Sequence, residues 1–113
     1  MATEKKAMLA VFKMDKVMST TEWRERFSSA YQVIFDVPGL FFKSWCCNQE
    51  KKEWCGFYIF DSDQYLQAYI KSDLWMNKVP EKYGCKPQVT ILEPGPIISK
   101  GTITRAAKSW MTE

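Results

Sequence analysis

The spacing of apolar residues changes several times along this chain, and each change marks an element. Ala7 to Lys13 (AMLAVFK) is an apolar run of strand length. Ser19 then opens a capping box with Glu22 three positions on, a pattern that satisfies free amides at a helix start. Trp23, Phe27, Ala30, Tyr31 and Ile34 follow at the spacing of one helix face. Pro38-Gly39 closes the connection, because proline disfavours helix in the residue before it. Leu40–Asn48 and Glu53–Phe60 are aromatic-rich strands around a charged turn. Asp61 or Ser62 caps a second helix whose inner face holds Leu66, Tyr69 and Ile70. Asp73–Tyr83 predicts a short extra helix or a loop, broken at Pro80. Gln88 to Leu92 alternates and predicts a last strand, and Glu93-Pro94-Gly95-Pro96 is a stop signal.

The order strand-helix-strand-strand-helix-strand predicts an α+β, ferredoxin-like split βαβ (βαββαβ) fold. It would have a four-stranded antiparallel sheet with both helices on one face. The domain spans residues 1–96. The tail, 97–113, still carries Ile97, Ile98, Ile103, Trp110 and Met111, so part of it is expected to dock on the domain or on a partner.

Folding the hairpin about Glu50-Lys51 sets Lys43 opposite Tyr58, Trp45 opposite Gly56, Cys46 opposite Cys55 and Phe42 opposite Ile59. Side chains alternate between the faces of a strand. One face therefore carries Leu40, Phe42, Ser44, Cys46, Cys55, Phe57 and Ile59, and reads as core. The other carries Phe41, Lys43, Trp45, Cys47, Trp54, Tyr58 and Phe60. Its mixture of large aromatics, a cation and a phenol is the chemistry of a pocket wall. With the helices on one side, the second face is expected to be bare in a monomer and to be covered by a partner subunit.

Composition narrows the chemistry. The chain has 113 residues, 15% aromatic, and a net charge of +3, enough for one domain with a modest core. Its basic residues do not form a stripe, so no nucleic-acid partner is expected. No apolar run approaches a membrane span, and the polar start lacks a leader pattern, so the expectation is a cytoplasmic protein with no membrane partner. The four cysteines, Cys46, Cys47, Cys55 and Cys85, lack metal-binding spacing. Cys46 and Cys55 approach across the hairpin, and buried reduced thiols are the simpler reading. There is no histidine, which removes histidine-based triads, a proximal-histidine haem site and the two-histidine iron site. No phosphate-cradling glycine motif is present. No cofactor and no metal are expected.

Several residues now described are similar to those of the YdhR-type mono-oxygenase family in the dimeric α+β barrel superfamily. They are Pro38-Gly39, Lys43-x-Trp45, Gly56-x-Tyr58-x-Phe60 and Ala68-Tyr69, over a resemblance running from about Met8 to Lys100. The resemblance implies a homodimer whose sheets close into a barrel. It places a pocket between sheet and helices or at the barrel mouth, and implies oxygenation of an aromatic or quinone-like molecule, in some members without metal or flavin. The chain departs from the superfamily in two ways. It lacks the histidine of the haem-degrading members, and Asn48 and Trp54 do not reproduce the Asn-x-x-x-Trp pair of other oxygenases.

Within that frame Lys43 and Tyr58 are the candidate catalytic residues. Lys43 would stabilise a phenolate, and Tyr58 would donate a hydrogen bond or relay a proton. Phe41, Trp45, Trp54 and Phe60 are the candidate substrate-binding wall. In the alternative reading Lys43 snorkels to the sheet edge while Trp45 and Tyr58 fill a dimer core. The matching functional alternative is a non-catalytic, small-ligand-binding or stress-related barrel.

Overall fold

A computed structural model of the protein describes residues 4–14, 19, 21–22, 25, 30–48 and 50–97, with the side chains of residues 30–32 outside that description. Trp23, Phe27 and the Tyr31 side chain, read above as a helix face, lie outside the described residues, as does the tail beyond residue 97.

The elements run β1 (Lys6–Lys13), α1 (Ala30–Phe35), β2 (Leu40–Asn48), β3 (Glu53–Phe60), α2 (Asp63–Ile70), a π-helical turn (Leu74–Lys78), α3 (Val79–Tyr83) and β4 (Gln88–Leu92). One four-stranded sheet has the order β2-β3-β1-β4, and all three pairings are antiparallel. This is the ferredoxin-like α+β fold.

Local chemistry explains the boundaries. The capping box forms reciprocally: the Ser19 amide donates to Glu22 Oε1 at 3.0 Å, and the Glu22 amide donates to Ser19 Oγ at 3.1 Å. Ser62 caps α2, its Oγ accepting from the Tyr65 amide at 3.4 Å. Pro80 does not break the segment after α2. It occupies the first turn of α3, where the missing amide proton costs nothing, so the expected break is a continuous helical stretch. Gly84 ends α3 at φ +79°, its amide donating to the Pro80 carbonyl at 2.7 Å. Before β2, Gly39 has φ +74°, and a Cβ there would overlap the Tyr65 ring.

The core lies on the opposite sheet face from the one expected. Trp54, Tyr58 and Phe60 are 4%, 2% and 0% exposed. They pack with Met8, Ala10 and Phe12 of β1 against Leu66 and Tyr69 of α2, Trp75 of the π-helical turn and Tyr83 of α3. α2, the π-helical turn and α3 therefore cover the aromatic face. The bare face carries Phe42 and Leu92, 41% and 40% exposed, beside half-buried Leu9, Val11 and Phe57. Both faces are apolar, so alternation separates them without saying which one the helices take. The large rings win because they offer more area to bury.

Leu66 is fully buried at the centre of this packing. Leu66→Ala should lower stability by about 2–5 kcal/mol, measured by urea unfolding. Gly39→Ala should cost at least ~1 kcal/mol, from positive φ and the collision with Tyr65.

Candidate functional site

The β2–β3 ladder places the chemistry. Lys43 pairs with Tyr58 and Trp45 with Gly56, so all four positions share the helix-covered face. Lys43 lies on an edge strand. It is half-buried as a residue, but its Nζ sits over the Tyr58 ring, 3.6 Å from the centroid, and 4.7 Å from that of Trp45. Gly56 leaves the room for this arrangement. A Cβ there would stand 3.0 Å from Lys43 Nζ, 3.0 Å from Tyr58 Cε1 and 3.3 Å from the Tyr58 hydroxyl.

Behind Tyr58 the rings continue into the helices. Tyr58 meets Tyr69 at 5.4 Å and Trp75 edge-on at 6.0 Å between centroids. Tyr69 meets Phe60 and Trp75, each at 5.4 Å. Phe12 stacks on Tyr83 at 3.7 Å. Three phenols, of Tyr58, Tyr69 and Tyr83, thus share the core beside one amine. The Tyr69 hydroxyl is buried without a hydrogen-bond partner among the described residues. The neighbouring Tyr58 phenol acts on its proton affinity.

Burial shifts the proton affinities of the site in opposite directions. Loss of hydration pulls the Lys43 pKa well below the ordinary lysine value, against a smaller opposing pull from Cys46. Rings beneath an ammonium favour the cation by about 0.5–2 kcal/mol, while the loss of hydration disfavours it. No carboxylate among the described residues lies within ion-pair distance of Lys43. Burial likewise raises the tyrosines. Tyr69 is pushed up to about 12, the Tyr58 phenol pulling it back slightly. Tyr58 and Tyr83 rise as well, from burial first and then from neighbouring phenols. The site therefore combines an amine of lowered proton affinity with phenols whose proton affinity is raised.

Of the wall residues read from the sequence, Trp45, Trp54 and Phe60 join Lys43 and Tyr58 on this face, and Phe41 does not. The register shifts between Leu40 and Phe42, a bulge that turns Leu40 into the core and frees Phe41 from the alternation. Phe41 is 51% exposed, with Lys5 Nζ 4.4 Å from its ring centroid. It lines an open surface cleft of about 580 Å³ with Glu4, Lys5, Glu93, Pro94, Gly95 and Ile97. That cleft does not include Lys43 or Tyr58. Tyr69, Trp75, Tyr83 and the spacer role of Gly56 were missed as site features. Tyr69 carries a helix-face signal and belongs to the Ala68-Tyr69 pair of the family resemblance, while Trp75 and Tyr83 fall in the segment that reads as either a short helix or a loop. Among the described residues, no group of three acidic, cysteine or histidine side chains could hold a metal. No helix there is long and apolar enough to cross a membrane.

The family model described as "Putative mono-oxygenase ydhR" matches residues 8–89. The chain belongs to this family. No curated protein matches it significantly. Among solved structures, it is similar to SnoaB, a cofactor-independent oxygenase from Streptomyces nogalater, with a TM-score of 0.64 at 5% identity over 87% of this chain and 100% of that one. It is also similar to the ActVA-Orf6 monooxygenase of Streptomyces coelicolor, solved with nanaomycin D, with a TM-score of 0.62 at 13% identity over 88% and 94%. A putative antibiotic biosynthesis monooxygenase from Caulobacter crescentus gives 0.63 at 15% identity over 83% and 92%. At these identities the structures share a fold, and the ydhR family supports a mono-oxygenase type of function.

The Lys43 environment predicts a pH dependence. Between its depressed folded pKa and the unfolded value near ~10.4, the unfolded chain binds more protons than the folded one. Stability from this group therefore rises with pH across that window. The raised tyrosines act oppositely, but only above about pH 10, where unfolded phenols ionise first. Lys43→Met should be more stable than the parent at neutral pH, and the gap should shrink by pH 9.5, as read from urea midpoints at each pH.

Proposed function

We propose that the protein is a mono-oxygenase for a small, electron-rich aromatic or quinone-like molecule, with Lys43 and Tyr58 as its acid–base pair. The observation that carries this reading is the Lys43 amine held on the ring of buried Tyr58, which in turn meets Tyr69, in a chain of the ydhR mono-oxygenase family.

Lys43, once in its amine form, which its lowered proton affinity favours, would take the proton of a phenolic substrate, and the substrate would bind as the anion beside the new ammonium. The electron-rich ring would then pass electrons to dioxygen and form a carbon–oxygen bond. The resulting hydroperoxide loses water to leave a quinone, so phenol and dioxygen become quinone and water with no further reductant required. Tyr58, held protonated, would donate to the developing oxygen anion. Trp45, Trp54 and Phe60 would keep the ring dry and in place, while Phe41 would belong to the separate cleft. Neither a metal nor a flavin enters this balance.

The same reading includes a homodimer, as the family resemblance implies. Leu9, Val11, Phe42, Phe57 and Leu92 form an apolar face on the far side of the sheet, suited to a second copy. Phe42→Glu would then shift sedimentation toward monomer, whereas a stable micromolar monomer in the parent would remove the dimer. The dense ring packing around Tyr58 favours a second reading, a non-catalytic dimeric barrel that binds an apolar ligand or serves in stress.

Oxygen-electrode assays with dihydroxyaromatic substrates separate the two. Lys43→Met and Tyr58→Phe should each lower turnover at least tenfold while far-UV circular dichroism stays unchanged. Absence of oxygen uptake by the parent across such substrates, with binding retained, would favour the non-catalytic reading.

A further inference from the structure

Cys46 and Cys55 stand directly opposite each other on the antiparallel β2–β3 ladder. Both are free thiols. Antiparallel partners have Cα atoms about 4.5–5.5 Å apart, inside the roughly 4.4–6.8 Å range that a disulfide spans. The pair lies on the far side of the sheet from Lys43, two ladder positions from the terminal Asn48–Glu53 pair, at the rim of the apolar face. Cys46 is exposed and Cys55 is half-buried. The Cys46 sulfur is 3.7 Å from Ser44 Oγ.

The other two cysteines are placed elsewhere. Cys47 pairs with Trp54, so it points to the opposite face. The Cys85 thiol donates to the Lys13 carbonyl at 3.3 Å. Only one pairing on this hairpin therefore meets the geometry.

We propose that Cys46 and Cys55 form a reversible cross-strand dithiol–disulfide site that reacts with small-molecule disulfides. The Cys46 thiolate attacks one sulfur of the external disulfide, forming a mixed disulfide and releasing the first thiolate. Cys55 then loses its proton to solvent, and its sulfur attacks Cys46, displacing the second thiolate. Two protein thiols are oxidised, and one external disulfide is reduced to two thiols. Burial, followed by the nearby Cys46, Glu53 and Cys47, pushes the Cys55 pKa up. Cys55 is therefore the slower, resolving partner, and closure should accelerate as pH rises. The new bond lies one ladder step from the Trp45–Gly56 pair, so it would stiffen the wall beside Lys43.

The test treats the full chain with oxidised glutathione and follows its intact mass. The parent should lose two hydrogens, regain them with dithiothreitol, and yield a crosslink between tryptic peptides on either side of Lys51-Lys52. Cys47→Ser should keep that crosslink. Cys46→Ser should abolish it, and Cys55→Ser should accumulate a stable glutathione adduct instead. A parent that stops at the mixed disulfide, that links two chains, or that crosslinks through Cys47 or Cys85 would overturn the proposal.

Discussion

The register of β2 against β3 governs which sheet face receives Lys43, Tyr58, Cys46 and Cys55. Because side chains alternate, a slip of one residue would send each of them to the other face. In the register observed, Lys43, Trp45, Trp54 and Tyr58 share the helix-covered side, while Cys46 and Cys55 share the open side. The bulge at Leu40/Phe42 is the one irregularity in this ladder. It lets Leu40 join the core and moves Phe41 to a separate surface cleft. Gly56 completes the arrangement, because a side chain there would crowd the amine and ring that face each other across the strands.

That register also sets an electrostatic conflict. A lysine brought onto a buried ring loses much of its hydration, and aromatic faces return only part of what water gave. The result is a lowered proton affinity. The phenols around it respond in the opposite direction, holding their protons. Groups whose surroundings push their protonation states apart are suited to proton transfer, which is the physical basis for reading the cluster as more than packing.

Much of the fold was legible because its signals are local. The capping box at Ser19, the cap at Ser62, the strand limits of the hairpin and the cross-strand pairs all follow from neighbouring residues. Three features were not legible. The choice of covered face depends on how helices dock onto a sheet that is apolar on both sides. The bulge before Phe42 leaves the residue pattern unchanged on paper. The helical run from Leu74 to Tyr83 hides behind Pro80, which reads as a breaker and acts as a first-turn residue. Tyr69, Trp75 and Tyr83 meet Tyr58 and Phe12 only through that docking, so Trp75 and Tyr83 had no site signature in the sequence and Tyr69 had only its place in the family resemblance.

The account rests on Lys43 being an amine with a strongly lowered proton affinity, held among protonated phenols. Titration of carbon-13-labelled lysine side chains by NMR measures this directly, with the Lys43 signal assigned by its absence in Lys43→Met. The account predicts one lysine whose midpoint lies well below those of the others, and which moves when a phenolic ligand is added. A Lys43 signal that titrates with the surface lysines and ignores the ligand would contradict it.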